Sequence, residues 1–358
     1  MSRKLMVLVA AVVVVVLGAA ATALGASPSH NNDSPKGNSA KTNKDFAGLV
    51  DIGGRRQMYM ECRGKGRPTV VFVSGYPERT ETWSKTLDPS GQAVFPSDEA
   101  VLPAIAKTNR VCAYDRPGTL LVGDEDFEES RSTPVPQPTT LHDGARDLHA
   151  LLSASGERGP FVVVGHSLGG AISRQFATEY PEEVSGLVLI DYTPYDAHNY
   201  MTDQEWEFWT SVLGTPPEGA LEIYPEYEQA DNVANLDLVL PPDGVPAPLK
   251  PMPLIVLSSD EPLDLTPWVE DGTLTPEEAK QFGEEIFDAV VRARSDLVSQ
   301  VPGAMHITET HSGHNIHWEQ PQLVINQVRE VVEAARKKSC ALGVKNHGQC
   351  VKADNNAQ

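Results

Sequence analysis

The residues best placed to do chemistry cluster around one serine. Ser167 stands at the centre of Gly165-His166-Ser167-Leu168-Gly169, a G-x-S-x-G pentapeptide. Before it, Phe161-Val-Val-Val164 is a short continuous apolar run of the kind that forms a fully buried strand. After it, Leu168 to Tyr180 reads as a helix stopped by Pro181. A serine on a sharp strand-to-helix turn needs small neighbours so that the backbones can approach, and the turn lifts its hydroxyl clear of the sheet. The helix N-terminus below supplies free N–H groups and the positive end of a dipole, which suit a developing oxyanion. The chemistry this predicts is nucleophilic attack by Ser167 on an acyl carbonyl.

A serine hydroxyl needs a base. On elbows of this type the chain order is serine, acid, histidine. The histidines after Ser167 are His198, His306, His311, His314, His317 and His347. His314, in Ser312-Gly313-His314, lies between the last strand and the last helix, in a loop at the edge of the sheet where ligands of open α/β sheets bind. It is the expected base. His306 falls within the strand itself, and His311 and His317 are read as surface or packing residues. The third member, which orients and stabilises the imidazolium, has two candidates. Asp191 ends the strand Leu187-Val-Leu-Ile190, and Asp260 ends the strand Leu254-Ile-Val-Leu257, with Glu261 and Asp264 beyond it. Two backbone donors are expected for the oxyanion. One is the N–H of Leu168; the other is the N–H of Tyr76, in the Ser74-Gly75-Tyr76 loop after Val71-Phe72-Val73.

The elements that must position these groups alternate. A hairpin is signalled by Gly53-Gly54 between Leu49–Ile52 and Gln57–Glu61. Strands are predicted at 69–73, 110–114, 161–164, 186–190, 253–257 and 304–308, and helices at 141–154, 168–180, 276–299 and 321–337. This alternation implies a mostly parallel sheet covered on both faces. Residues 124–139, acidic and rich in proline, are expected to be a surface loop. The stretch 192–252 is too long for a simple connection. With Trp206, Phe208 and Trp209 it is expected to be a cap over the site.

Arg3 and Lys4 precede an apolar run from Leu5 to about Leu24, followed by small residues. Residues 1–26 therefore read as a secretory signal. The run, at about 20 residues, is also long enough to cross a bilayer, so an uncleaved N-terminal anchor is the alternative. Residues 27–45 are expected to be a flexible linker, 46–338 the folded domain, and 339–358 a C-terminal tail. The four cysteines, Cys62, Cys112, Cys340 and Cys350, suit disulfides in an exported chain. Three connectivities are open; Cys62–Cys112 with Cys340–Cys350 is favoured, the second pair closing a short loop in the polar tail.

The chain has 358 residues and a formal net charge of −20. That balance is the opposite of a nucleic-acid-binding face, and an anionic membrane surface would repel it. The expected partner is a small-molecule acyl substrate, with no nucleic acid, and with a membrane only through the N-terminal segment. No metal or organic cofactor is expected for the reaction.

From Leu49 to Lys337 the chain resembles the α/β-hydrolase superfamily. More narrowly it is similar to exported bacterial serine hydrolases of the esterase and prolyl aminopeptidase-like branch. The matching segments are Glu61-Cys62-Arg-Gly-Lys-Gly66, Pro68-Thr-Val-Val-Phe-Val-Ser-Gly75, Trp83, Arg110-Val-Cys-Ala-Tyr-Asp-Arg-Pro-Gly118, the elbow, Leu187-Val-Leu-Ile-Asp191, and Ser312-Gly-His314 with Glu319-Gln-Pro321. The resemblance implies an α/β-hydrolase fold with a cap, Ser167 as nucleophile, His314 as base, and Tyr76 and Leu168 as oxyanion donors. It also puts Cys62 and Cys112 on neighbouring strands. The acid carries over less directly. Most members keep it in a Gly-x-x-Asp turn after the strand that is Leu254 to Leu257 here, whereas this chain has Ser258-Ser-Asp-Glu-Pro262. Some branches move it to the preceding strand, which favours Asp191 with Asp260 second. Two further departures are Ser74, where a histidine is usual, and Thr-Leu-Leu-Val after Gly118, where Gly-x-Ser is usual. An esterase is the expectation. An aminopeptidase, or an exported binding protein on the same scaffold, is the alternative.

Overall fold

In the computed structural model the described residues are 44–338, apart from 89, 92, 123–126, 218, 241–245 and 271. The N-terminal segment, most of the predicted linker, and the Cys340–Cys350 pair lie outside them.

Eight strands form one sheet: β1 (Phe46–Gly53), β2 (Arg56–Arg63), β3 (Val70–Val73), β4 (Val111–Tyr114), β5 (Phe161–His166), β6 (Val184–Ile190), β7 (Leu254–Leu257) and β8 (Met305–Ile307). Their order across the sheet is β1-β2-β4-β3-β5-β6-β7-β8. β3 to β8 run parallel, and β2 is antiparallel to both β1 and β4. The predicted Gly53-Gly54 hairpin is the β1–β2 turn. The central strands VVFV, VCAY and LIVL are buried at every position, as strands covered on both faces must be.

Successive side chains leave a strand on opposite faces, and the core divides accordingly. Val71, Val73, Val163, Leu187, Leu189, Leu254 and Val256 pack on one face, against α2 (Leu141–Ser155), α3 (Ser167–Glu179) and the C-terminal part of α6 (Pro276–Gln300). Val70, Phe72, Val162, Val164, Val188, Ile190 and Leu257 pack on the other, against α1 (Val101–Ala106) and α7 (Pro321–Arg336). Helix starts are written locally. Thr140, Thr202 and Thr275 each cap a helix and pair with an acid three residues on, forming capping boxes.

Residues 192–252 hold helical segments, chiefly α4 (Asp203–Val212) and α5 (Asn232–Val239). Trp209 packs with Ile286, Val290 and Ala293 of α6, and Tyr224 and Tyr227 pack near Leu120 with Tyr76 beside them. The segment read as a surface loop, 124–139, departs from that reading in part. Phe127–Glu129 pairs with Leu120–Val122 as a small hairpin, and Ser132 is buried, donating to the Asp115 carbonyl at 2.6 Å. Arg131 reaches inward to the fully buried Asp115 carboxylate (2.6 Å), an attraction that composition alone did not reveal. Cys62 and Cys112 face one another on β2 and β4 and are joined, with sulfurs 2.12 Å apart. Among the described residues no helix is long and apolar enough to cross a membrane.

Candidate active site

Ser167 follows β5 directly and begins α3. Its φ is +51°, a left-handed conformation that a non-glycine residue adopts only when its surroundings enforce it. Close approach explains the flanking glycines. A Cβ on Gly169 would sit 2.1 Å from the Ser74 carbonyl oxygen, so the β3 loop and the elbow can touch only because Gly169 has no side chain. The Leu168 N–H lies in the first turn of α3, where N–H groups have no intrahelical acceptor.

Asp191 follows β6 at the same edge of the sheet, also at positive φ (+39°). His314 follows β8. The structure brings these two together: His314 Nδ1 lies 2.6 Å from Asp191 Oδ2. A carboxylate only accepts, so Nδ1 carries the hydrogen, and in the neutral ring Nε2 keeps its lone pair. The second oxygen, Asp191 Oδ1, accepts from the Ser259 N–H at 2.9 Å and from Arg294 Nη1 at 2.5 Å. Burial opposes ionisation of Asp191, but the Arg294 guanidinium, the His314 hydrogen bond and the Ser259 N–H outweigh it. The carboxyl is held well below the usual carboxylate range.

Asp260, the second candidate acid, is not at His314. Its oxygens accept from the backbone N–H groups of His311 (3.0 Å) and Ser312 (2.9 Å) and from the Thr310 hydroxyl (3.2 Å). Burial acts against its charge and these hydrogen bonds outweigh it, so its pKa too is lowered. Its place is to clamp the loop that carries His314. Glu319 assists by accepting from the Gly313 N–H at 2.9 Å.

The Gly75-Tyr76 loop follows β3 and lies against the elbow: a Cβ on Gly75 would come 3.3 Å from Ser167 Cβ. Buried Arg116 fixes its orientation, donating to the carbonyls of Ser74 (2.6 Å) and Gly75 (2.8 Å). Across a planar trans peptide the N–H points opposite the C=O, so the Tyr76 N–H is turned away from Arg116. Arg116 is itself held by both oxygens of Glu228, at 2.6 and 2.9 Å. A residue of the 192–252 segment thereby braces the loop.

Three groups at this site escaped the sequence reading, Arg294, His166 and Glu78, and a fourth, His317, bears out the packing half of its surface-or-packing reading. Arg294 had a detectable signal, because it falls on the apolar face of α6 with Ile286, Val290 and Leu297, where a charged residue needs a partner. His166 pins the His314 loop, its Nε2 lying 3.0 Å from the His314 carbonyl oxygen. His317 is a fully buried ring packed at a tilt against His166 (4.4 Å between centroids), and Glu78 lies beside them.

A family model described as "Alpha/beta hydrolase family" matches residues 70–327. The chain is 24% identical over 340 residues to "Probable transporter efuK" of Hormonema carpetanum, covering 85% of this chain but only 45% of that protein. It is 22% identical over 290 residues to "Uncharacterized protein YqjL" of Bacillus subtilis, covering 78% of this chain and 89% of the relative. Among solved structures, the carboxylesterase CesB (YbfK) of Bacillus subtilis superposes with a TM-score of 0.44 at 17% identity, over 80% of this chain and 91% of that one. With the family model matched over most of its length, and with a mostly parallel eight-stranded sheet flanked by helices, the chain belongs to the alpha/beta hydrolase family.

Proposed function

We propose that the chain is a serine hydrolase that cleaves carboxylic esters through an acyl-enzyme. The observation that carries this reading is the 2.6 Å contact between His314 Nδ1 and a buried, ionised Asp191, at the sheet edge where Ser167 stands at positive φ. His314 Nε2 takes the Ser167 proton as Oγ attacks the acyl carbonyl. Asp191 stabilises the imidazolium that forms. The N–H groups of Leu168 and Tyr76 receive the oxyanion. Collapse of the tetrahedral species breaks the ester C–O bond, and His314 returns the proton to the departing alkoxide. Water, deprotonated by His314, then attacks the acyl-enzyme, releasing the acid and restoring Ser167.

Against an aminoacyl amide, two buried carboxylates of the 192–252 segment are already taken, Glu228 by Arg116 and Asp196 by Arg174 (3.0 Å), so neither is free to hold a substrate ammonium. A fluorophosphonate probe tests the nucleophile. Labelling of the wild type and not of Ser167→Ala is expected, and absence of labelling in folded wild type would favour the binding-protein alternative. A panel of short- and long-chain p-nitrophenyl esters against aminoacyl anilides tests the substrate class, and faster anilide turnover would overturn the ester reading.

The same proposal puts the enzyme outside the cytoplasm, supported by the apolar N-terminal run and the Cys62–Cys112 pair. N-terminal sequencing of protein recovered from culture medium and from the membrane fraction checks this. An intact Met1 in a cytoplasmic fraction would overturn it.

A further inference from the structure

Behind the nucleophile, Glu78, His166 and His317 each contribute a ligand atom, and these atoms all lie within 4.8 Å of one another. Three buried atoms of these residues lack a hydrogen-bond partner: Glu78 Oε2, His166 Nδ1 and His317 Nδ1. Both rings are nearly or wholly buried, at 2% and 0% exposure. Orphaned polar atoms of this kind require an explanation.

Tautomers sharpen the problem. The His314 carbonyl oxygen, 3.0 Å from His166 Nε2, only accepts, so Nε2 carries the hydrogen and Nδ1 of the neutral ring is a bare lone pair. It looks across 3.8 Å at Glu78 Oε2, a second acceptor. His317 Nε2 lies 3.1 Å from the Thr82 hydroxyl, which can accept or donate; in the tautomer in which it accepts, His317 Nδ1 presents a third lone pair. A proton on either ring would relieve the conflict, but it would set an imidazolium where the ring is 2% or 0% exposed. One water has two hydrogens for three acceptors. A divalent cation has a coordination position for each. The 3.8 Å separation is within about half an ångström of the ligand–ligand edge that zinc bonds of about 2.0–2.1 Å produce. Gly75 keeps the approach open, since a Cβ there would come 2.6 Å from His166 Nδ1.

We propose that the Glu78 carboxylate and the His166 and His317 imidazoles form a binding site for a divalent transition-metal ion of the zinc type, with water in the fourth position. Two neutral imidazoles and one carboxylate suit such an ion. The ion takes no part in the acyl transfer derived above. It joins the three loops on which the active site depends: Glu78 is two residues past Tyr76, His166 precedes Ser167, and His317 is three residues past His314. The site does not depend on Ser167 being a nucleophile.

The test uses untagged full-length protein with its disulfide intact, because reduced Cys62 and Cys112 with Glu157 form another potential ligand group. After dialysis against a chelator, Zn2+ is titrated calorimetrically and bound metal is counted. One ion per chain, with a Kd below about 1 μM, is expected. Zn2+ should also raise the thermal midpoint. Glu78→Gln, which keeps size but removes the anionic ligand, should weaken binding about 30-fold or more. His311→Ala, at an exposed neighbouring position, should leave binding unchanged. Co2+ added to the wild type should give the intense visible bands of a four-coordinate ion, a readout that needs no variant. Failure of the wild type to bind a stoichiometric ion, octahedral-type Co2+ bands, or equal affinity in folded Glu78→Gln would each overturn the proposal and leave water as the occupant.

Discussion

Asp191 and Asp260 follow neighbouring parallel strands at the same edge of the sheet, and their surroundings give them different work. Asp191 is almost wholly buried and gives one oxygen to Arg294 and the Ser259 N–H. Its other oxygen is left for His314. Asp260 is more exposed and commits both oxygens to the 310–312 loop. The difference teaches that a carboxylate is available to a neighbouring histidine when a buried cation occupies one of its oxygens and the fold leaves the other uncommitted. Position at a strand end does not decide it.

The largest break in the comparison is Asp191→Asn. The amide has nearly the same shape, but its NH2 group favours the wrong tautomer of His314. We expect kcat on a reactive ester to fall about 10³- to 10⁴-fold, a range set by the equivalent change in serine proteases, with the fold intact by circular dichroism. Retention of more than a tenth of the wild-type kcat would show that Asp191 is not the working acid.

Arg294→Met comes next. It removes the cation but fills similar volume, leaving Asp191 buried with only His314 and a backbone N–H. Breaking a buried pair by deleting one partner costs about 3–5 kcal/mol, and the Asp191 pKa should rise. We expect kcat to drop about 10- to 100-fold at neutral pH, with the loss deepening as pH falls, and Arg294→Lys to recover part of it. A pH–rate profile parallel to that of the wild type would reduce Arg294 to a packing residue.

This contact also marks where the sequence stops being legible. The glycines and apolar runs around Ser167 announce the elbow, because close backbone approach and burial leave local signatures. His314 is legible from its place after the last strand. The choice between Asp191 and Asp260 is not local: it is made by Arg294, 103 residues from Asp191, and by the Ser259 N–H. Only the register of α6 against the sheet brings them together. His317 reads as an ordinary residue because two of the rings it is buried against, Trp83 and His166, lie far away in the chain. The 124–139 segment reads as loop because its inward grip runs through Arg131, whose partner Asp115 lies on another segment.

Acid unfolding sharpens the comparison further. The folded-state pKa of Asp191 lies below its unfolded value, which is about 3.9. Its ionic contribution to stability is therefore fully present above that unfolded value and is lost as pH falls through the folded one. The unfolded chains titrate alike at Asp191, so the difference in unfolding free energy between wild type and Arg294→Met, measured in urea, should be constant well above the raised Asp191 pKa of the variant and shrink as pH falls through it. The Asp260 contribution is common to both proteins and cancels in the difference. A gap that persists undiminished to pH 2–3 would mean that Arg294 stabilises the fold by packing and not through Asp191.

The smallest effect on turnover belongs to Asp260→Asn. The amide keeps one acceptor oxygen for the loop but turns an NH2 group toward a backbone N–H, so one hydrogen bond is lost and two donors meet. The stability cost should be about 1 kcal/mol, read as a lower urea midpoint. Because Asp260 does not touch His314, kcat should change by less than about twofold. His314 stays tied to Asp191, to the His166 ring through its carbonyl, and to Glu319 through the Gly313 N–H, so the loop keeps three other anchors. If Asp260→Asn instead cost more than about 100-fold in kcat while Asp191→Asn cost less than about 10-fold, the clamp and the acid would have exchanged places. The contrast between the two strand ends would then describe a resting arrangement that the working enzyme abandons.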